Sequence, residues 1–318
     1  MTAPTAARWI GLPMAVLAVS TSGILIRLTT APPLVTATHR LVWAAVFLLA
    51  VAAVTRRREL FALNRLQVGL LGLGGVLLGF HFALWTSSLF WTSVASAVIL
   101  TDTHPAFDAV GARVFLAEAT PPGVWIGITA TFVGSLIIAG GDVAQGERAL
   151  VGDLMAIGAS VTMAGYLVIG RSVRQQLSTV SYAGCVYAVA GLCTGMMAIV
   201  TGSPLFDITA HDAAIWLALV LVPTLLGHTV FNWALRYVAV SVVGVVIVGE
   251  PVVTMVWAWL LLGEPPSTTA LVGGAIAFAG IYLALRTRPT ADPVLEHQTE
   301  DAGEVPREGV RDSHNRGG

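Results

Sequence analysis

The 318-residue sequence contains no lysine, and charged residues make up only 11% of it. Soluble globular proteins carry about 25% charged residues, because their surface faces water. Hydrophobic residues make up 56% of this chain, before its 33 glycines are counted. The composition therefore excludes an ordinary soluble globule and predicts that most of the chain contacts lipid.

Cysteine and clustered basic charge are also scarce. The two cysteines, Cys185 and Cys193, stand in one apolar stretch, where eight residues of helix would separate them by about 12 Å, too far for a disulfide. The formal net charge is −1 and the longest basic run is residues 56–58, which argues against a nucleic-acid partner. No chelating spacing, Walker motif or nucleophile motif is present, so the sequence predicts no metal, no cofactor and no enzyme.

Long apolar runs divide the chain into ten candidate membrane spans. A bilayer core of about 30 Å takes about 20 residues of helix, and the runs lack the period-two alternation of a lipid-facing strand. The candidate spans are residues 9–29, 34–54, 66–87, 92–116, 122–140, 150–171, 181–201, 213–235, 238–262 and 268–286. The sequence predicts an all-α integral membrane protein with ten transmembrane helices.

The arginine positions predict the orientation of these spans, because cytoplasmic loops retain positive charge. With the N-terminus inside, nearly all loop arginines lie on the cytoplasmic side. Residues 1–8 then form a cytoplasmic tail and residues 141–149 an external linker. Residues 287–318 are acidic with almost no large apolar side chain, so they are predicted to be a disordered cytoplasmic tail. The absence of lysine is typical of a GC-rich bacterial gene.

An offset of 146 residues aligns the two halves of the chain. It places Pro105 on Pro251, Glu118 on Glu264, Gly127 on Gly273 and Gly134 on Gly280. The two units, residues 9–140 and 150–286, would hold five spans each. Because five is odd, the second unit enters the membrane upside down relative to the first. The sequence predicts two inverted five-helix repeats, an architecture of alternating access.

The aligned prolines and glutamates have local consequences. Pro105 and Pro251 each remove the amide that would bond the carbonyl four residues earlier, so both are predicted helix kinks near mid-membrane. A packed kink without any ligand is the alternative. Glu118 and Glu264 stand just before proline pairs that begin new helices. The helix dipole stabilises a carboxylate there, so both are predicted turn residues.

Polar side chains within the spans are costly in lipid unless they face protein or water. The candidates for substrate binding or coupling are Glu250, His104, His81, His228, Asn232 and Trp85. A second group, assigned to anion binding or structural pairing, consists of Arg27, Arg40, Asp102 and Asp108. For His81 and His228, a hydrogen-bonded histidine of the bundle core remains the alternative.

Helical spacing predicts which of these side chains share a face. Residues four apart do so, which pairs His104 with Asp108, His228 with Asn232 and His81 with Trp85. Asp102 precedes His104 by two residues, which is about 200° around a helix. We therefore expect that Asp102 and His104 do not face one cavity.

Several features occur in a distinctive order along the chain. They are the paired prolines and glutamates, Arg40 early in the second span, residues 231–235 (FNWAL), and residues 250–251 followed by 262–264. In this order the chain resembles the EamA-like family of the drug/metabolite transporter superfamily, over about residues 8–286. The resemblance implies a secondary transporter of the inner membrane that exports small metabolites, amino acids or drug-like compounds, often with proton exchange. Residues 102–105 (DTHP) depart from the family in being more charged.

The sequence thus predicts a proton-linked carrier that moves a small polar or zwitterionic solute through a cavity between the repeats. Glu250 is the candidate proton carrier, the three histidines and Asn232 are candidate contacts for substrate or protons, and Trp85 is a candidate apolar wall. One alternative is a proton-independent facilitated exchanger, like sugar-phosphate or nucleotide-sugar carriers, with Arg27 and Arg40 as anion-binding groups. Another is a non-transporting membrane scaffold or sensor.

Overall fold

The computed structural model describes residues 5–116, 122–143, 146–234 and 249–286. This part of the chain consists of helices joined by turns and contains no strand. The helices are α1 (Thr5–Ser20), α2 (Ser22–Arg27), α3 (Pro33–Thr55), α4 (Arg57–Phe61), α5 (Arg65–Ser88), α6 (Val94–Thr101), α7 (His104–Leu116), α8 (Pro122–Val143), α9 (Glu147–Arg174), α10 (Thr179–Val200), α11 (Ala210–Leu219), α12 (Thr229–Ala234), α13 (Glu250–Trp257) and α14 (Thr268–Arg286). Two π-helical segments, Val220–His228 and Ala258–Leu262, follow α11 and α13. Glu118 and the predicted tail at 287–318 lie outside the described residues.

Five of the described helical stretches are long and apolar enough to cross a membrane. They are α3, α5, α9, α10 and the continuous stretch Ala210–Ala234. Shorter apolar helices cover Gly11–Arg27, Trp125–Gly141, Glu250–Leu262 and Thr268–Gly280. Many large apolar side chains on these helices are exposed, including Leu192 and Phe132, which is typical of a lipid-facing surface. The prediction of an all-helical membrane protein is confirmed, and the count of ten helices stays a prediction.

The predicted span at 92–116 is broken into two helices. α6 ends at Thr101 and α7 begins at His104, so Asp102 and Thr103 form a turn. Pro105 has no amide to donate to the carbonyl of Thr101, and the Asp102 backbone leaves the helix at φ −79° and ψ 8°. The sequence indicated an interruption here, but as a kink at the proline. The structure places a full break two to three residues earlier.

Pro251 lies in the first turn of α13, which begins at Glu250. A proline is tolerated there because the first amides of a helix have no partner within it. The carbonyl that a kink at Pro251 would free belongs to Ile247, which lies outside the described residues. The predicted kink at Pro251 therefore stays a prediction.

Glycines allow α8 and α14 to pack in close contact. A Cβ on Gly134 would lie 2.4 Å from the carbonyl oxygen of Gly273, and a Cβ on Gly280 would lie 2.6 Å from that of Gly127. The earlier residue of α8, Gly127, contacts the later residue of α14, Gly280, and the later residue of α8 contacts the earlier residue of α14. The two helices are therefore antiparallel. Close backbone approach of this kind is how helices associate in lipid, where no hydrophobic effect drives them together.

α10 packs against α3 through small residues of its own. A Cβ on Gly184 would lie 3.0 Å from Leu49, and a Cβ on Gly195 would lie 3.3 Å from Thr38. Cys185 and Cys193 both lie within α10 and both are free thiols. The prediction that they form no disulfide is confirmed.

A carboxylate of α4 caps the N-terminus of α10. Glu59 accepts hydrogen bonds from the amide of Ser178, from the Ser178 hydroxyl at 2.6 Å and from the Ser181 hydroxyl at 2.9 Å. Partial burial raises the pKa of Glu59, but the hydrogen bonds from Ser178 and Ser181, with the charge of Arg56, outweigh burial and hold the pKa below its usual value. The carboxylate form of Glu59 therefore joins α4 to α10.

We expect the Glu59 cap to weaken in acid. Because its pKa is depressed by folding, its stabilisation is fully present above the ordinary glutamate pKa of about 4.3 and is lost as the pH falls through the lower folded-state value. The difference in melting temperature between wild type and Glu59→Gln in detergent should be largest near neutral pH and should shrink below about pH 4. Glu147→Gln, at an exposed carboxylate, is the matched control. A Glu59→Gln difference that does not change with pH would contradict this role.

Candidate functional site

A narrow cavity lies at the break between α6 and α7. Its lining consists of Val19, His81, Trp85, Thr101, Asp102, His104, Met163, His228, Phe231 and Glu250. With the space at its open mouth included, the empty volume between these side chains is about 420 Å³. The cavity itself has a volume of about 30 Å³. That is room for about two waters. Five of the six predicted binding or coupling residues line this cavity, and Asn232 does not.

Asp102 and His104 both line the cavity, so the expectation from helical spacing is wrong. The rotation of about 100° per residue holds only within a continuous helix, and these two residues flank the break between α6 and α7. Asp102 is 7% exposed, and its Oδ2 has no hydrogen-bond partner among the described residues. The cavity thus contains two carboxyl groups, Asp102 and Glu250, which interact electrostatically.

His104 is oriented by a buried carboxylate on its own helix. Its Nδ1 lies 3.0 Å from Oδ2 of Asp108, and both side chains are at most 4% exposed. The predicted shared face of His104 and Asp108 is confirmed. The Nε2 atom of His104 has no partner in the described part of the chain. Because the bond at one ring nitrogen sets the role of the other, Asp108 leaves Nε2 as the nitrogen available to the cavity.

Two more histidines complete the polar lining. Nδ1 of His81 lies 3.0 Å from the carbonyl oxygen of Ala159, and the His81 ring is parallel to that of Trp85 at a centroid distance of 6.3 Å. This confirms their predicted shared face. His228 ends the first π-helical segment and contacts Phe231 edge to face. Histidine, carboxylate and aromatic groups therefore share one small space within the membrane-spanning helices.

Arg40 lies behind the aromatic wall of the cavity. It is 1% exposed, its Nε donates to the Thr224 hydroxyl and its Nη1 donates to the Ser22 hydroxyl, both at 2.7 Å. Its guanidinium carbon lies 4.6 Å from the ring centroid of Phe82. This burial keeps the guanidinium of Arg40 away from the membrane surface. Arg40 also interacts electrostatically with Glu250.

Comparison with known proteins now identifies the family. The model of the EamA-like transporter family matches residues 9–140 and 150–286. The chain belongs to the EamA-like transporter family. An uncharacterized transporter of Archaeoglobus fulgidus is 26% identical over 227 residues, which cover 69% of this chain and 75% of that protein. A solved crystal structure matches 94% of this chain and 100% of its own, with a TM-score of 0.64 and 19% identity, which is a likeness of fold.

Membership of the EamA-like family makes this chain a multi-pass membrane transporter of the drug/metabolite transporter superfamily. It argues against the scaffold or sensor alternative and against an enzyme. Among the described residues of this EamA-like transporter, no three His, Cys, Asp or Glu side chains are placed to hold a metal ion.

Asn232 belongs to a separate polar network of the EamA-like transporter. Its side chain accepts a hydrogen bond from the hydroxyl of Tyr166 and donates to that of Tyr187 at 3.3 Å. Asn232 does not join His228 in the cavity lining, and these two tyrosines hold its side chain instead. The shared face predicted for His228 and Asn232 therefore does not bring both into the cavity. The sequence analysis missed both tyrosines, although a buried hydroxyl in a membrane helix requires a partner.

Arg174 is a second residue that the sequence placed differently. It was expected in a cytoplasmic loop, yet α9 extends to it and it is 1% exposed. Its guanidinium donates to the carbonyl oxygens of Asn232 and Leu177 and to the hydroxyl of Thr179. Arg174 therefore connects α9 to α10 and α12. Its charge is buried and does not lie on the protein surface.

Arg27 and Glu264 form an ion pair outside the cavity lining. Glu264 also accepts a hydrogen bond from the amide of Val94 at 3.4 Å. It follows Gly263, whose φ of 68° is in the left-handed region that favours glycine. The pair connects α2, α6 and the turn after α13, which agrees with structural pairing for Arg27 and a turn role for Glu264.

Proposed function

We propose that this EamA-like transporter is a secondary carrier that exports a small polar solute through the cavity, in exchange for protons. The observation that carries the proposal is the pair of carboxyl groups, Asp102 and Glu250, in one narrow cavity within the membrane-spanning helices. Ionisable groups are expensive there and typically mark a substrate or proton pathway. Glu250 is the proton carrier in this proposal, and His104 is a contact for the solute.

The proposal includes two inverted repeats, supported by contacts that the 146-residue offset exchanges. By this offset Gly134 is equivalent to Gly280, and Gly273 is equivalent to Gly127. The contact between Gly134 and Gly273 therefore has an equivalent between Gly280 and Gly127, and both contacts occur. Thr131 donates to the carbonyl oxygen of its own equivalent, Ala277, at 3.3 Å. A self-complementary contact of this kind is what a twofold axis between α8 and α14 requires.

The same relation holds between α3 and α10. By the same offset Gly184 is equivalent to Thr38, and Leu49 is equivalent to Gly195. The contact of Gly184 with Leu49 thus has its equivalent in the contact of Thr38 with Gly195. We infer units at 9–140 and 150–286, each of five spans, whose rocking against each other would expose the cavity alternately to the two sides.

The proposed orientation has both termini in the cytoplasm of a bacterial cell, with the protein in the plasma membrane. A cysteine introduced at Gly146 should then react with a membrane-impermeant maleimide added to intact cells. A cysteine introduced at Arg57 should react only after the cells are opened. Reaction at position 57 in intact cells would reverse the orientation.

Proton coupling is the part of the proposal that separates it from facilitated exchange. In proteoliposomes, solute transport should accelerate when a pH gradient is imposed, and solute should drive proton movement that an internal pH dye reports. Equal rates with and without the gradient would favour the facilitated exchanger. The described residues give that alternative little support, because Arg27 is paired with Glu264 and Arg40 is not among the lining residues.

A further inference from the structure

We propose that the solute is a small organic amine, bound as a cation with its ammonium group between Asp102 and Glu250. The inference rests on the proposed function in one respect, namely that the cavity is the transport site. It adds the chemical class of the solute. It also excludes the zwitterionic and anionic solutes that the sequence left open.

The charges around the cavity leave one negative charge without a partner. Asp108 is paired with His104, and Arg40 interacts with Glu250 from behind the wall. Asp102 forms no ion pair with a described residue, its Oδ2 is buried without a hydrogen bond among those residues, and the carboxyl group of Glu250 interacts with it electrostatically. A buried carboxylate without a partner is strongly unfavourable. The site therefore takes up either a proton or a cation.

Among the described residues, no arginine lines the cavity to pair with a carboxylate on the solute. Arg40 lies over the faces of Phe82 and Trp85, at 4.6 and 5.9 Å from the ring centroids. Trp85 lines the cavity and Arg40 does not. The aromatic wall thus stands between this cation and the solute. An amino acid would bring a carboxylate into a space whose described lining contains no guanidinium to pair with it.

The rest of the lining fits a short apolar body. Val19, Met163 and Phe231 lie beside Trp85 in the wall, and aromatic faces attract an alkylammonium group in addition to the carboxylates. The narrowness of the cavity favours a slender chain over a bulky ring system.

Amine and proton would compete for the same carboxyl groups. When the ammonium group binds, the protonated carboxyl group transfers its proton to solvent and becomes a carboxylate, so the charge of the site does not change. Among the described residues, the charged and titratable groups at the site are Asp102, Glu250, His81, His104 and His228 in the lining, and Asp108 and Arg40 behind it. The exchange of one proton for one cation follows from this balance.

Four compounds with the same butyl chain test the charge of the solute. They are butylamine as the cation, norvaline as the zwitterion, 1-butanol as the neutral compound and pentanoate as the anion. Binding to the purified protein is measured by titration calorimetry, with proton release followed in weak buffer. Butylamine should bind with release of up to about one proton, and its affinity should fall as the pH is lowered. Norvaline should bind about 100-fold more weakly, because its carboxylate is buried unpaired.

Variants show whether butylamine occupies this cavity. Asp102→Asn should weaken butylamine binding, and Glu250→Gln, which cannot release a proton, should remove most of the proton release. Glu147→Gln, at an exposed carboxylate, should change neither. If Asp102→Asn does not fold, the four compounds can still be compared on the wild-type protein. Norvaline or pentanoate that binds the wild type as tightly as butylamine would overturn the amine assignment. So would butylamine that fails to bind or binds without releasing protons. A pH-driven solute of another class would overturn the amine assignment and leave the proposed function intact.

Discussion

The Glu250→Gln protein should fold and still exchange solute, but its transport should no longer respond to a pH gradient. Glutamine keeps the shape and hydrogen-bonding capacity of the protonated carboxyl group, but it cannot release a proton. Arg40, the cation that interacts with Glu250, keeps its hydrogen bonds to the hydroxyls of Thr224 and Ser22. We therefore expect the fold to survive the loss of the charge, and the rate with a gradient to equal the rate without one.

Stability and both transport modes need to be measured on the same samples of Glu250→Gln. Glu147→Gln, at an exposed carboxylate at the start of α9, is the control and should keep its response to the gradient. A stable Glu250→Gln protein whose gradient-driven uptake equals that of wild type would remove Glu250 from the mechanism. A loss of about 3–5 kcal/mol in stability would instead indicate that Glu250 is half of a buried ion pair.

The broken helix at the cavity shows how far the sequence alone reaches. The long apolar runs and the charged, proline and glycine residues between them predict the helical membrane fold, because a long apolar segment in lipid has few alternatives to a helix. Pro105 marks the missing amide, and thus the place of an interruption. Which residues then leave the helix depends on the packing of neighbouring helices. The turn at Asp102 and Thr103, which brings Asp102 and His104 together, was for that reason not predictable from spacing.

Buried arginines show a second limit. The cost of a charge in lipid predicts that Arg40 has partners, but its hydroxyl partners lie on other helices, 18 and 184 residues away. Arg174 stands at the end of an apolar run, where the sequence favours a solvated loop. Its burial depends on the carbonyl groups of Asn232 and Leu177, which accept hydrogen bonds from its guanidinium. Such complementarity between distant segments leaves no local pattern.

The largest loss of stability is expected from adding a single methyl group where α8 meets α14. In Gly134→Ala, the new Cβ would lie 2.4 Å from the carbonyl oxygen of Gly273 and 2.7 Å from the amide nitrogen of Ala277. Both are backbone atoms, which cannot rotate away as a side chain does, so the helices must separate. Overpacking usually costs about 1–3 kcal/mol, and we expect the upper end. Thermal unfolding of the purified proteins in detergent measures the effect.

Gly140→Ala provides the control on the same helix, because a Cβ there meets no atom within 4 Å. It should be neutral or slightly stabilising, since alanine favours a helix over glycine by about 1 kcal/mol. Gly280→Ala tests the proposed symmetry, because its Cβ would lie 2.6 Å from the carbonyl oxygen of Gly127 in the equivalent contact. If the twofold relation holds, Gly280→Ala and Gly134→Ala should destabilise the protein to a similar extent. A Gly134→Ala protein as stable as Gly140→Ala would mean that α8 and α14 do not pack through this contact, and support for the inverted repeat would then rest on α3 and α10 alone.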